Sequence, residues 1–336
     1  MRDRLGDLNL VTADVGSLPA EDDFEGDRNN VNRAITDKVE VGLDYPTYPQ
    51  LVGTTTSPMN MGLQFLRPLS NNNPSLQIRG EEINLVGDTI LEPDYAIGIE
   101  RAEYFTSFIQ KNDLGKKLKG TRACVTGPFT LASYIGTKNL MTCGASKPQI
   151  VATLGSILGK SCRRLSELGF NIISIDEPFL SVILGASRLL YSYNQDFVIS
   201  TLNTLIAQIS NVSSIHVCGR VTPLVRSTLL ATNVNIIDHE FSQTPKNNEA
   251  YTEHDLDQSD KLLAYGCISS VDLRVETVED IARVVRNAQK LFGQRIIVKP
   301  DCGFGGLKGI GGAYKSTFDK LRNMVCAARE VRIQAS

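Results

Sequence analysis

The last two-thirds of the chain alternate short apolar runs with longer amphipathic stretches, and this pattern restricts the possible folds most strongly. Strand candidates lie at 122–126, 171–175, 213–217, 234–238, 264–268 and 295–299. Strands that alternate with helices predict a parallel sheet flanked by helices. Two earlier candidates, at 8–15 and 42–45, raise the number of strands to eight, which predicts a closed (β/α)8 TIM barrel.

The length of the chain fits one such barrel with insertions in its N-terminal half. The chain has 336 residues, which suits an eight-fold barrel better than an ordinary small domain. Residues 51–92 show little periodicity and contain a turn-forming cluster at 70–74, Ser-Asn-Asn-Asn-Pro. We therefore predict a single TIM-barrel domain over 1–336, with residues 51–92 as an excursion over the barrel mouth that includes a small hairpin at 76–86.

Charge and composition exclude several classes of partner. The formal net charge is -2 and the basic residues form no stripe, so we expect no nucleic acid partner. The first seven residues are polar, and no run of about 18 apolar residues occurs, so we expect a cytoplasmic protein without a membrane partner. Seven cysteines, an odd number, fit reduced thiols better than a disulfide framework.

Residues 213–219, which contain the strand candidate at 213–217, end in two side chains of types that can bind metals, His216 and Cys218. Residues i and i+2 of a strand point the same way, so the imidazole of His216 and the thiol of Cys218 lie on one face. Zinc takes about four nitrogen, sulfur or oxygen ligands in a tetrahedron. This strand end therefore supplies half of a zinc site.

Two other strand candidates are followed by further donors, Glu240 after 234–238 and Cys302 after 295–299. The carboxyl ends of parallel barrel strands converge on one face, where such folds place their chemistry. We therefore predict a Zn²⁺ site formed by His216, Cys218, Glu240 and Cys302, with Glu240 as the ligand that an incoming thiol displaces most readily. Spacing alone leaves one alternative, in which these are ordinary polar residues at the barrel rim.

Several motifs occur in an order that resembles a known family. They are 125–131 (Val-Thr-Gly-Pro-Phe-Thr-Leu), 175–178 (Ile-Asp-Glu-Pro), His216-x-Cys218, Glu240 and 300–303 (Pro-Asp-Cys-Gly). This order is similar to that of the C-terminal catalytic barrel of cobalamin-independent methionine synthase, over most of residues 8 to 330. The resemblance implies a zinc-dependent methyltransferase that converts homocysteine to methionine.

The resemblance also implies which residues hold the amino acid. Asp176 matches the family acid that binds the amino group of homocysteine, and we assign it to the catalytic site. Gly16 and Ser17 resemble the family's Gly-Ser that holds the carboxylate, although a plain turn is the alternative. A second acid for the amino group falls near Asp94 or Glu92. Asp176 has its own alternative, as a helix N-cap or backbone anchor.

Three departures from the family pattern concern the methyl donor. The full-length family enzyme has two barrels, whereas this chain is about one barrel long. Val271 stands where the family has a His near the path of the proton to the folate, and the chain has no Trp to match the one that the family places near Tyr134. Cobalt(I) leaves without needing a proton. We therefore expect a corrinoid protein carrying methylcobalamin, rather than methyltetrahydrofolate, to donate the methyl group.

Two alternative functions remain open from the sequence. The zinc site could act on another thiol such as coenzyme M, although Asp176 argues against a substrate that has no ammonium. The chain could instead be a zinc- or corrinoid-binding module without turnover. Thiol-dependent demethylation of methylcobalamin would distinguish an enzyme from such a module.

Overall fold

The computed structural model describes residues 8–20, 27–52, 61–137, 143–185, 188–191 and 193–335. Its strands are β1 (Ser17–Pro19), β2 (Gln50–Val52), β3 (Leu76–Arg79), β4 (Glu82–Leu85), β5 (Arg122–Thr126), β6 (Ile135–Gly136), β7 (Ile172–Asp176), β8 (Val212–Val217), β9 (Ile236–Glu240), β10 (Leu262–Ile268) and β11 (Ile296–Pro300). Its α-helices are α1 (Asp27–Glu40), α2 (Leu63–Ser70), α3 (Glu100–Lys111), α4 (Pro128–Ser133), α5 (Pro148–Glu167), α6 (Leu180–Ile183), α7 (Gln195–Ile206), α8 (Pro223–Ala231), α9 (Glu253–Gln258), α10 (Val278–Phe292) and α11 (Ala313–Ala335).

Six strands form the continuous part of the barrel wall. They are parallel and lie in the order β5, β7, β8, β9, β10, β11. Each is buried along nearly its whole length, as expected for parallel strands covered on both faces. The predicted strand positions are confirmed for these six, with ends that differ by no more than about two residues.

Two irregular segments close the ring between β11 and β5. Thr12 bridges in parallel to Val298, Ala13 bridges to Tyr45, and Thr47 bridges to Arg122. The wall is therefore eight-fold, and the predicted (β/α)8 TIM barrel is confirmed. The regular strand predicted at 8–15 is wrong, because Leu10 has a φ of 52°, a left-handed conformation that cannot continue a strand.

The chain around Gly16 also differs from the sequence prediction. We expected residues 16–19 to form a turn that ends the first strand. Instead Gly16, at a φ of 123°, redirects the chain into β1, which pairs in parallel with β2. A residue with a Cβ would be strained at this φ, so glycine permits the change of direction.

The insertion in the N-terminal half has structure of its own. Strands β3 and β4 form the predicted hairpin, and β4 also pairs in parallel with β6. The hydroxyl of Thr126, at the end of β5, donates to the carbonyl of Met61 at 3.1 Å. This contact brings residue 61 next to a carboxyl-terminal strand end, and we propose that the described part of 51–92 reaches over the barrel mouth; residues 53–60 of the predicted excursion lie outside the described residues.

The interior of the barrel changes in character along its axis. A small apolar cluster fills the amino-terminal end, where it includes Ile172, Ile236 and Leu262, the first residues of three strands. Nearer the carboxyl-terminal end the buried side chains are polar and charged. A larger apolar cluster includes residues of the surrounding helices. Within the described ranges, no helix is both long and apolar enough to cross a bilayer.

Candidate metal site

Three of the four predicted metal ligands lie together at the carboxyl-terminal rim of the barrel. The donor atoms of His216, Cys218 and Cys302 all lie within 4.8 Å of one another. Nε2 of His216 is 3.0 Å from the sulfur of Cys218, which is 3.5 Å from the sulfur of Cys302. The imidazole is buried, whereas both cysteines are partly exposed. Two partly exposed cysteines therefore lie beside a buried imidazole at the rim.

Electrostatics favours a thiolate in this cluster. The hydrogen bond from Cys218 lowers the pKa of Cys302 well below its ordinary value, and nearby His216 lowers it further. The same bond raises the pKa of Cys218, as do its burial and the nearby Glu240. These opposite shifts favour the charged form of Cys302, and a thiolate is a donor of the kind that metals bind.

Glu240 is close to the cluster but does not belong to it in this structure. It is the last residue of β9, and one of its carboxylate oxygens accepts a hydrogen bond from the hydroxyl of Thr244. Its negative charge adds a small upward contribution to the pKa of Cys218. The role of Glu240 as the fourth ligand stays a prediction.

His216 lies between two acids at the same level of the barrel wall. In the strand register His216 is opposite Asp176 on one side and Asp238 on the other. Burial opposes the charged form of His216, but the Asp238 carboxylate outweighs it and raises the pKa of His216 to about 10. Burial would likewise raise the pKa of Asp238, yet Lys299 and His216 hold it below its ordinary value.

Asp176 lies beside the cluster in a position that suits a cationic ligand. Its side chain is 6% exposed, and Oδ1 accepts a hydrogen bond of 2.8 Å from the hydroxyl of Ser174. Burial raises the pKa of Asp176 to about 6. A buried carboxylate with so few partners gains from an added positive charge.

The next residue, Glu177, points into the fold and has a structural role. Its carboxylate accepts from the backbone N–H of Phe129, at 2.9 Å, and from the N–H and the hydroxyl of Thr130. These donors lie at the start of α4, where a helix has N–H groups without intrahelical partners. Glu177 therefore fixes the 127–130 motif against β7.

Gly16 and Ser17 lie beside the loop that follows Cys302. The Ser17 hydroxyl accepts from the N–H of Gly305 at 3.3 Å, and a Cβ at Gly303 would overlap the Ser17 side chain. The absence of a side chain at 303 therefore lets these two loops touch. Asp94 is exposed, and in the described part of the chain no hydrogen bond or ion pair connects it to the site, so its role stays a prediction.

The other two histidines lie away from the cluster. His239 is fully buried, with Nδ1 2.9 Å from the carbonyl of Val217 and Nε2 3.0 Å from the hydroxyl of Tyr251. Burial lowers its pKa to about 4, so it is a neutral packed residue that points away from Glu240, as strand alternation predicts. His254 is exposed.

Sequence reasoning missed Asp301, the residue before Cys302. Its carboxylate accepts three backbone hydrogen bonds of 2.7–2.9 Å from Phe241, Ser242 and Gln243, the segment directly after Glu240. The side chain is 1% exposed. Asp301 therefore joins the two loops that carry Glu240 and Cys302. The signals for it in the sequence were its place in the 300–303 motif and its position between a buried strand and a predicted ligand.

Sequence reasoning also missed three charged residues inside the barrel. Arg122, Asp238 and Lys299 lie within apolar runs, and each is at most 2% exposed. The available signal was the alternation of the strands, which places Asp238 on the same face as Glu240.

Comparison with known proteins identifies a family that this chain matches. A family model described as "Cobalamin-independent synthase, Catalytic domain" matches residues 92–330. A methionine synthase from Methanothermobacter marburgensis is 24% identical over 340 residues, which covers 96% of this chain and 100% of the relative. A methionine synthase from Methanocaldococcus jannaschii is 26% identical over 275 residues, 76% of this chain and 82% of the relative.

A solved structure shares the fold over almost the whole chain. A B12-independent methionine synthase from Shewanella, in complex with selenomethionine, superposes with a TM-score of 0.71 at 18% identity and covers 97% of this chain and 99% of the other. At that identity the likeness concerns the fold alone.

Proposed function

Because the chain belongs to the family of cobalamin-independent synthase catalytic domains, we propose that it is a zinc-dependent methyltransferase that methylates homocysteine to methionine. The observation that carries the proposal is the cluster of His216, Cys218 and Cys302, whose donor atoms lie within 4.8 Å of one another. A structural site would need no partly exposed sulfurs, whereas thiol alkylation requires an accessible position.

The residues present fit a zinc ion. Two thiols and one imidazole are soft and borderline donors of the kind that zinc prefers, and Glu240, the last residue of β9, is the predicted fourth ligand. Bound zinc would supply Lewis-acid activation, keeping a substrate thiol deprotonated at neutral pH. The chain itself holds the donors in place through the two strand ends and through Asp301.

Asp176, Gly16 and Ser17 supply the proposed recognition of the amino acid. The buried carboxylate of Asp176 would bind the ammonium of homocysteine, and the Gly16–Ser17 backbone and hydroxyl would bind its carboxylate. Asp176 ends β7, Gly16 precedes β1 and Ser17 begins it, next to the strand ends that carry the cysteines. A thiol with no ammonium, such as coenzyme M, would leave Asp176 unpaired.

The methyl donor in this proposal is a corrinoid protein carrying methylcobalamin. Val271, at the position of the family's proton-path His, is 63% exposed and cannot carry a proton. Methyl transfer from cobalt forms the S–CH₃ bond while the Co–C bond breaks, cobalt keeps the electron pair, and the thiol proton leaves to solvent. The family description as cobalamin-independent lends this donor no support, so the proposal rests on Val271 and the absent Trp.

The test combines metal analysis with turnover of the purified protein. We expect about one zinc per chain, and Cys302→Ser should lose both zinc and methionine formation. Cys326→Ser is the matched control, because Cys326 is an exposed thiol on α11, and it should change neither. Full retention of zinc in Cys302→Ser would contradict the site assignment.

The donor is tested in the same assay with homocysteine as acceptor. We expect methylcobalamin, free or bound to a corrinoid protein, to support methionine formation and methyltetrahydrofolate not to support it. Efficient synthesis from methyltetrahydrofolate without a corrinoid would overturn the donor but leave the zinc and homocysteine proposals standing. A preference for coenzyme M over homocysteine would overturn the acceptor.

A further inference from the structure

Asp238 occupies the centre of a buried charge network directly beneath the cysteine and histidine cluster. Its side chain is 1% exposed. Oδ1 lies 2.6 Å from Nδ1 of His216 and 2.8 Å from the ammonium of Lys299, while Oδ2 lies 3.0 Å from the guanidinium of Arg122. Three nitrogen groups on three different strands therefore converge on one carboxylate.

The contact with His216 determines which ring nitrogen is available as a ligand. A neutral imidazole carries one proton, and the nitrogen without it is the acceptor or metal ligand. An ionised carboxylate at 2.6 Å from Nδ1 keeps the proton on that nitrogen. When His216 is neutral, as a metal ligand must be, the lone pair is then on Nε2, which lies 3.0 Å from the Cys218 sulfur.

Lys299 connects the same carboxylate to the strand end that carries Cys302. Its ammonium also donates to the carbonyls of Pro300 and Asp301, at 2.9 Å each, which are the two residues before Cys302. One buried cation thus holds Asp238 and the backbone of the second ligand strand in a fixed relation.

Arg122 restrains Asp238 from across the barrel. The guanidinium nitrogen that binds Asp238 also donates to the hydroxyl of Ser174 at 2.8 Å. A second guanidinium nitrogen donates to the backbone carbonyl of Asp14 at 2.5 Å. With both carboxylate oxygens paired to cations, Asp238 stays ionised and has one orientation.

We propose that Asp238 is a positioning residue of the zinc site, which fixes His216 in the tautomer with its proton on Nδ1 and presents Nε2 to the metal. The inference rests on the proposed zinc site and deepens it. It assigns a function to a strand residue that touches neither substrate nor metal. Outer partners of this kind orient metal-bound histidines and raise their basicity.

The first experiment compares Asp238→Asn with Asp14→Asn in zinc competition titrations against a chelator. Asp14 is the matched control, because it is a 2% exposed carboxylate in the same barrel that pairs with Lys38 at 2.6 Å instead of with His216. Both variants should lose stability. Only Asp238→Asn should bind zinc more weakly, by about 10- to 100-fold.

Cobalt(II) substitution gives a readout that a purely structural role would not change. In Asp238→Asn the thiolate-to-cobalt absorption bands should shift, because the imidazole no longer has a fixed orientation, whereas Asp14→Asn should keep the wild-type spectrum. Equal losses of zinc affinity in both variants, or a wild-type affinity and spectrum in folded Asp238→Asn, would overturn the inference.

A measurement on the unaltered protein decides the question even if Asp238→Asn does not fold. The chain has three histidines, so ¹⁵N-histidine NMR of the zinc-loaded protein can be assigned with His239→Gln and His254→Gln. We expect His216 to keep its proton on Nδ1 and to bind zinc through Nε2. Coordination through Nδ1 would overturn the role of Asp238 while the zinc site survived, and a wild-type protein that binds no zinc would overturn both.

Discussion

Asp176→Asn is the substitution that tests recognition of the amino acid most directly. It removes the negative charge but keeps a side-chain oxygen that can accept a hydrogen bond from the Ser174 hydroxyl. In the wild type this hydroxyl lies 2.8 Å from Oδ1 of Asp176. Asp176 makes no contact with the sulfur atoms that the structure describes. The change should therefore weaken homocysteine binding and leave zinc content as in the wild type.

The size of the effect follows from the burial of the carboxylate. Removing one partner of a desolvated charge pair costs about 2–5 kcal/mol, and Asp176 is only 6% exposed. Asparagine retains a neutral hydrogen bond worth about 1 kcal/mol. Subtracting this hydrogen bond from the middle of the range, about 3.5 kcal/mol, leaves a loss of about 2.5 kcal/mol. That loss corresponds to roughly a 70-fold decrease in kcat/KM for homocysteine.

The assay compares homocysteine with 4-mercaptobutanoate, the same thiol acid without the amino group. Wild-type protein should prefer homocysteine by about the factor that Asp176→Asn loses, and the variant should hardly distinguish the two thiols. The reasoning is refuted if Asp176→Asn, with its zinc intact, keeps the wild-type preference for homocysteine. In that case Asp176 would serve the scaffold.

Three further predictions concern ionisation and stability. Since burial raises the pKa of Asp176 to about 6, the carboxylate is protonated as the pH falls through that value, and KM for homocysteine should rise below about pH 6 in the wild type but not in Asp176→Asn. Asp44 accepts hydrogen bonds from the N–H and the hydroxyl of Thr12; burial raises the pKa of Asp44, but these bonds help to lower it overall. Asp44→Asn should therefore lower the free energy of unfolding at pH 7 by about 1 kcal/mol. The difference between variant and wild type should fade below the ordinary Asp pKa of 3.8, and a difference that persists in acid would contradict the prediction. Lys38→Met leaves the carboxylate of Asp14 buried without its ion pair, and denaturant unfolding should show a loss of about 3–5 kcal/mol; unchanged stability would exclude this pair as a stabilising contact.

The later barrel strands could be predicted because their information is local. Runs such as 122–126 and 296–300 are apolar and bounded by breaks in the pattern, and the structure forms strands at those positions. The first two barrel segments carry no such signal. They contribute only isolated bridges at Thr12, Ala13 and Thr47 to the wall. The left-handed backbone conformation occurs at Leu10, and because this residue is not a glycine, the sequence does not indicate that conformation.

The cluster of metal-binding side chains was predictable for a topological reason. Residues that follow parallel strands reach the same rim whatever their separation in sequence, so His216, Cys218 and Cys302 could be brought together without a structure. The orientation of a long side chain is not fixed in this way. Glu240 follows its strand as expected, yet its carboxylate accepts from Thr244.

The buried charges could not be predicted because their partners are distant in sequence. Asp238 is 116 residues from Arg122 and 61 from Lys299, and in isolation each looks like a polar interruption of an apolar strand. Only the closed barrel shows that the charges neutralise one another. Charged residues at inward-facing positions of several strands are the pattern that would have indicated a paired network.

The contact of Asp301 with the 241–243 backbone has a consequence for protein engineering. Because one carboxylate accepts all three of those N–H groups, a designer who moves the proposed zinc ligands onto another barrel must transplant Asp301 and the 241–243 segment as a unit. Grafting the ligand side chains alone would leave three amide groups without acceptors and the Glu240 loop without an anchor. The smallest portable form of this site therefore includes backbone from two loops as well as its ligands.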